Sequence, residues 1–525
     1  MKQKIMIGFV LSMMLFGCHP SGRKINGEWN THRLISKQNI LANLEFLASD
    51  ALEGREAGSR GEKLAALYLS TELKKYGVLP LSQDQGYLQP VDLQNIRFSG
   101  QSKLDLVDAQ GELLHSLVYG VDFIGSPRYY PTLDTTIGVV FAGYGITAPE
   151  FNYDDYAKFD AEGKIVLVYH GEPISEDSSY FGGAEDTRYS SIRHKMSNAR
   201  EHGAAGIIFQ FGPEKTFSWD KLKDYVKKGA MQLKGGAEEG EKKSYSEQIP
   251  AVTITGNSLR YFLESEKYSY DSLEVLRNNN QPLPGFFLKK RMRVLWKFDM
   301  DSTVRAYNVV GIIPGTDPEL RNEYVGMGAH YDHVGVIRDT VYNGADDNAS
   351  GTSAILEAAR ALAWSRDNER PVLVVFHTAE EKGLLGSKYM AQQEDILKNL
   401  VAFINLDMVG GGATDSIYSV GADHISKELQ DLTEKINART VRFHFNYHFN
   451  GENDPERIYY RSDHYNYAKK GIPVVFFFDH YMVDYHTPGD DVEKLNLEKI
   501  TRVAELTYQL ASELANRKGR LKLNH

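Results

Sequence analysis

One cysteine, Cys18, occurs among 525 residues. No disulfide can therefore form within the chain, and no thiolate cluster is available for a closed structural zinc site. The core alone must hold the fold, even in an oxidising compartment. No G-x-S-x-G turn follows a strand-like run, which removes the usual seat of a serine nucleophile. The glycine-rich stretch from Glu53 to Gly61 lacks both a G-K-[ST] ending and a preceding strand, so it is not read as a phosphate-binding loop. No Lys/Arg cluster with interleaved aromatics stands out against the net charge of -10, and no nucleic-acid partner is expected. The run Glu238 to Lys243 reads as a solvated loop.

Set against these absences are five candidate metal ligands in the order His330, Asp347, Glu381, Asp407 and His486, in the segments GAHYDHVG, NGADDNASG, HTAEEKGLLGS, INLDMVG and DYHTPGDD. Most of these segments begin where an apolar run stops. The runs Val372 to Phe376, Leu400 to Leu406 and Ile472 to Phe478 are too continuously apolar for a sheet with one wet face. They alternate with helical patterns such as Ser350 to Ser365 and Leu497 to Asn516. The expected fold is an α/β three-layer sandwich around a mostly parallel mixed sheet, with its site at the carboxyl ends of the strands. Taken singly, a His or Asp after a strand is a common loop residue, and Asp347 or Ser350 could simply start a helix. Together, two His and three carboxylates exceed the needs of one open tetrahedral zinc. They suit two ions that share a bridging carboxylate, with zinc favoured and cobalt or manganese as alternatives.

On these residues the chain resembles the M28 metallopeptidases, the co-catalytic di-zinc aminopeptidases, in the branch carrying a protease-associated (PA) domain. The motifs that carry the resemblance are H-x-D, D-x-x-S-G, the E-E pair, N-L-D and the late His. The resemblance implies the zinc exopeptidase fold and a metal set in which Asp347 bridges, His330 and Asp407 complete one site, and Glu381 and His486 complete the other. It picks Asp347 over its neighbour Asp346, and it implies a cis peptide bond after the bridging Asp. Glu380 becomes the general base, which takes a proton from metal-acidified water and passes it to the leaving amine. Asp332 should accept from the ring nitrogen of His330 that faces away from the metal. Tyr485 is the candidate donor to the developing oxyanion. His333 and His377, beside the proposed ligands, are given no role, and Ser462, Asp463 and His464 fall in the segment R-S-D-H-Y-N-Y-A, which resembles the wall of the substrate cleft.

Lys2 and Lys4, the apolar run Ile5 to Phe16, Gly17 and Cys18 look like a bacterial lipoprotein signal over residues 1–17, with lipid on Cys18. An ordinary secretory signal is the alternative. The run is too short for a comfortable spanning helix. The expected location is the bacterial cell envelope, lipid-anchored to the outer membrane and facing the periplasm or the exterior. The peptidase domain is expected over 34–103 and 285–518, opening on a glycine-rich loop that leads into an amphipathic helix. A β-rich PA domain is expected as an insertion over 104–270, with a partner that sequence does not identify. The expected activity is a zinc aminopeptidase acting on peptides. Alternatives are a carboxypeptidase using Arg457 and Arg461, a glutaminyl cyclase, and a lipid-anchored binding protein without catalysis.

Overall fold

The computed structural model describes residues 34–524 apart from 83, 85, 127–132, 176, 178, 184–185, 213–217, 235–248, 452–453, 455 and 480–483. The N-terminal apolar run, Cys18 and the Glu238 to Lys243 run lie outside the described residues. Strands Val372–His377, Leu400–Asp407 and Val474–Phe478 are buried at every position, and Tyr324–His330 at every position but its first. These four lie side by side and parallel, in the order Val372–His377, Tyr324–His330, Leu400–Asp407, Val474–Phe478. Continuous apolarity in them has a direct cause, since alternate side chains are buried against different layers. Val372, Val374 and Phe376 pack with residues of helices Gly351–Ser365 and Leu497–Ala515, whereas Leu373 and Val375 pack with Met390 and Tyr467. The molecule is thus the expected three-layer α/β sandwich. The strand expected from Ile472 begins only at Val474, because Pro473 has no N–H to give the ladder and offers only its carbonyl, to the Phe403 N–H.

Antiparallel strands flank the parallel centre. Val304–Ile313 pairs with Val372–His377 and with Leu88–Phe98, and Ser416–Val420 pairs with Val474–Phe478 on the other side. The helix after the glycine-rich loop runs Arg60–Lys75, capped by the Ser59 hydroxyl accepting from the Glu62 N–H. Among the described residues, no helix is long and apolar enough to cross a membrane.

A second sheet of eight strands is built from residues 103–296, around a core that includes Phe123, Phe141, Tyr169 and Trp296. Its limits differ from the expected domain limits in two places. Strand Gly285–Trp296 belongs to this smaller sheet, paired with Leu133–Ala142 and Lys103–Val107, although 285 was expected to open the second part of the peptidase domain. Conversely, Ala230–Leu233 leaves the smaller sheet and pairs antiparallel with Leu88–Phe98 of the larger one. Both departures have the same origin. An alternating strand such as GFFLKKRMRVLW, or a four-residue one such as AMQL, carries no mark of which sheet will supply its hydrogen-bond partners.

Candidate metal centre

Parallel strands that start in register also end together, and their ends carry the chemistry. His330 is the last residue of its strand and Asp407 the last of the neighbouring one. Glu380 and Glu381 follow the Val372–His377 strand after a turn in which Ala379 has φ 54°. His486 lies past the Val474–Phe478 strand, with φ 52°. Asp347 comes from a wide helical turn over Ala345–Ser350 that precedes the Gly351–Ser365 helix. Its peptide bond to Asn348 is cis, as the resemblance implied.

The five residues converge. His330 Nε2 lies 3.1 Å from Asp407 Oδ1 and 3.3 Å from Asp347 Oδ1. The other oxygen, Asp347 Oδ2, lies 3.1 Å from His486 Nε2, which is itself 3.1 Å from both oxygens of Glu381. Two donors bound to one tetrahedral zinc at about 2.0–2.2 Å lie roughly 3.3–3.5 Å apart. The two groups therefore have the spacing of two cation sites, and Asp347 offers one oxygen to each. The chemistry of the donors fits as well. Asp347, Glu380, Glu381 and Asp407 are gathered within or beside one buried cluster, and carboxylates taken out of water demand cations. The protein's own groups respond accordingly. Burial acts against both histidines, yet the surrounding carboxylates raise His330 well above its ordinary range and push His486 up to about 10. Asp347 is held well below the usual carboxylate range, its burial overcome by hydrogen bonds to His330 and His486.

The supports around these groups are specific. The Asp490 carboxylate accepts from the Asp346 and Asp347 N–H groups at 2.8 and 3.1 Å, which holds the Asp347 backbone. Asp346 turns away, accepting from the Gly410 N–H at 2.7 Å, so the register chosen in its neighbour's favour agrees with the geometry. Ser350 donates to the Asp346 carbonyl and accepts from the Val409 N–H, which fastens the wide turn to the end of the Asp407 strand. Arg55, buried in the glycine-rich loop, donates to the carbonyls of Leu47, Tyr331, Asn343 and Gly344 and so clamps the His330 and Asp347 segments together. Burial lowers its guanidinium to about 10, which leaves it charged at neutral pH.

Glu380 lies beside the cluster, in the wall of a pocket that also includes Asp347, Asp407, Met408, Ile458, Arg461, Ser462, Phe476, Phe478 and Tyr485. Burial, reinforced by Asp407 and Glu381 against the pull of His330, holds the Glu380 carboxyl well above its ordinary value. The Tyr485 ring stacks on His486 with centroids 4.0 Å apart.

Three expectations need correction. His330 Nδ1 donates to the backbone carbonyl of Asp332 at 3.2 Å, whereas the Asp332 carboxylate stands 3.8 Å from it and accepts from the Glu380 N–H at 3.0 Å. Asp332 therefore positions Glu380 with its side chain and His330 with its main chain. His333, set aside in the sequence, is buried with Nδ1 2.9 Å from Glu381 Oε1. Ser462 is more than cleft wall, because its hydroxyl donates to Asp407 Oδ2 at 2.8 Å. Asp463 and His464 do not join it in a triad. Asp463 faces His377 at 3.2 Å, and His464 stacks on Phe476. The contribution of Arg55 was also missed, although a charged residue in an otherwise tight glycine-rich loop was a signal that could have found it.

Residues 308–511 match the model of peptidase family M28, and residues 135–260 match that of the PA domain. A probable leucine aminopeptidase of Arthroderma benhamiae is 28% identical over 350 residues, covering 63% of this chain and 91% of the relative. Leucine aminopeptidase 1 of Sclerotinia sclerotiorum is 31% identical over 227 residues, covering 40% of this chain and 56% of the relative. An aminopeptidase from Aneurinibacillus sp. strain AM-1 shares the fold, with a TM-score of 0.54 at 22% identity over 94% of this chain and 97% of that one. The region matching peptidase family M28 thus carries all five converging side chains, and the region matching the PA domain lies within the smaller sheet.

Proposed function

We propose that the chain is a zinc-dependent exopeptidase of aminopeptidase type, working with two zinc ions. The observation that carries this is the division of Asp347, whose Oδ1 faces His330 while its Oδ2 faces His486. The relatives named for leucine aminopeptidase activity support the same choice. His330, Asp347 and Asp407 would hold one ion; Asp347, Glu381 and His486 would hold the other. Bound there, the ions supply Lewis-acid polarisation of the scissile carbonyl and acidify water. Glu380, in the pocket wall, is placed to take a proton on its carboxylate and return it to the leaving amine. Tyr485, in the pocket wall with its ring stacked on His486, would donate its hydroxyl to the oxygen on which charge develops. A free substrate α-amine suits the acidic floor formed by Asp347, Glu380 and Asp407.

A carboxypeptidase is the second reading, because Arg461 also lines the pocket and could meet a free carboxylate. The experiment is hydrolysis of aminoacyl-anilides and of N-blocked and C-blocked peptides by the mature protein, with zinc, after chelation, and with Glu380→Gln. The aminopeptidase reading expects cleavage that needs metal and a free N-terminus and that falls about 10²–10⁴-fold in Glu380→Gln at unchanged zinc content. Release from the C-terminus would move the assignment to carboxypeptidase, and a zinc-loaded protein inert on every peptide would count against both.

Anchoring belongs to the same proposal. The pattern Lys2, Lys4, Ile5 to Phe16, Gly17, Cys18 supports lipid attachment at Cys18 in the bacterial cell envelope. Cys18→Ser should then release the protein from the membrane fraction. Equal membrane retention of the two forms would end that part of the reading.

A further inference from the structure

We propose that His333 is a fourth protein ligand of the site formed by Asp347, Glu381 and His486, so that this site is closed by protein while the site of His330, Asp347 and Asp407 stays open. The inference rests on the two-metal reading above and adds a residue to it. His333 is wholly buried, and among the described residues neither ring nitrogen makes a well-aligned hydrogen bond, its close polar neighbour being the Glu381 carboxylate. A buried imidazole held this way is costly unless something else occupies its lone pair. Its Nδ1 is nonetheless 2.9 Å from Glu381 Oε1 and 3.6 Å from Asp347 Oδ2. His486 Nε2 reaches the same two carboxylates at 3.1 Å each. Four donors, two nitrogens and two carboxylate oxygens, are thus grouped at separations close to the roughly 3.3–3.5 Å that a tetrahedral zinc imposes on its ligands. All of them fall within one group whose donor atoms lie within 4.8 Å of one another.

The ring also has a built seat. Gly344 adopts φ 57°, and a Cβ placed there would stand 2.5 Å from His333 Cγ, so only glycine leaves room for the imidazole. From above, the ring meets His486 in a T-shaped contact at 5.5 Å. Its backbone N–H is tied to the carbonyl of Arg55, the same residue that donates to Asn343 and Gly344. The loop containing Gly344 and the clamp from Arg55 hold the imidazole where Asp347 and Glu381 converge.

The consequence is an asymmetry between the sites. Four protein ligands make a closed tetrahedral site, whereas three leave a position for water or substrate. The Glu381 site should therefore retain its ion more strongly, and the His330 site should be the one that exchanges and engages substrate.

The test is stepwise metal removal from the full-length mature protein, with zinc per chain measured against increasing chelator. Wild type should lose one zinc early and hold the other to at least about 10²-fold higher chelator. His333→Ala should lose both over the same range, and added imidazole should restore the late step. With cobalt in place of zinc, the visible absorption of the retained ion should change in His333→Ala, which a merely structural role would not produce. Melting of the metal-free forms checks that the variant folds, and His333→Asn carries the same measurements if the alanine variant does not. A variant that keeps one tightly held ion and an unchanged cobalt spectrum overturns the proposal while leaving the two-metal reading intact. A wild-type protein that takes up no zinc overturns both.

Discussion

The Ser462 hydroxyl donates to Asp407 Oδ2 at 2.8 Å and receives the Asn405 amide N–H, also at 2.8 Å, so that Asp407 is oriented by a residue 55 positions later in the chain and braced from within its own strand. The oxygen left over, Asp407 Oδ1, is the one that faces His330. Removing the hydroxyl should let the carboxylate turn. In Ser462→Ala, zinc affinity at the His330 site is expected to weaken about 10-fold or more, with activity recovering at higher zinc. Zinc titration of the metal-free enzyme, followed by hydrolysis of an aminoacyl-anilide, reads this directly. A titration curve that superimposes on wild type would show that Ser462 does not orient the ligand.

Arg55 should matter for stability before it matters for chemistry. Its guanidinium meets four backbone carbonyls from three segments and is almost wholly buried. Arg55→Met leaves those carbonyls without a donor, which is expected to cost on the order of 4 kcal/mol. Urea denaturation at neutral pH would show the loss as a lower midpoint. An unchanged midpoint would mean that water replaces the clamp without cost.

The hydroxyl of Tyr485 can be separated from its ring. Tyr485→Phe keeps the 4.0 Å stack on His486 and removes the donor. If the hydroxyl stabilises developing charge, kcat should fall about 10²-fold while KM stays close to wild type. Retention of full kcat would assign Tyr485 to packing alone.

His464 provides a pH dependence away from the proposed metal ligands. Burial, with its ring stacked on Phe476 at 4.4 Å, lowers its pKa to about 3. Its folded pKa therefore lies below the unfolded value of about 6.5. Between these values the unfolded chain binds a proton that the folded chain refuses. The stabilising contribution is fully present above pH 6.5 and is lost as pH falls toward 3. His464→Phe removes this term, so its stability should fall less steeply than wild type between pH 6.5 and 4.5, by up to about 1.4 kcal/mol per pH unit. Parallel urea midpoints for the two proteins across that range would show that His464 titrates normally.

Much of this architecture was readable in advance because its signals are local. A strand such as Val372–His377 must be apolar at successive positions when both faces are covered, and that demand is written in six adjacent letters. Once the Tyr324–His330 and Leu400–Asp407 strands pair side by side, their ends bring His330 and Asp407 together. Supporting contacts were not readable in the same way. Ser462 reaches Asp407 across 55 residues and Arg55 reaches Tyr331 across 276. The sheet to which Gly285–Trp296 or Ala230–Leu233 belongs likewise depends on the neighbouring edge rather than on the strand.

The amino-acid sequence by itself determined the succession of buried strands along the chain and the residue types that follow them, because each follows from local periodicity, while the preference for Asp347 over Asp346 came from the family resemblance. Tertiary structure alone decided that Asp347 faces two clusters with its two oxygens, that Asp332 holds Glu380 with its carboxylate and His330 with its carbonyl, and that His333 points inward. The physical reason is that a donor's usefulness depends on angstrom distances to atoms tens or hundreds of residues away. Those distances are set only once both layers of helices have closed on the sheet.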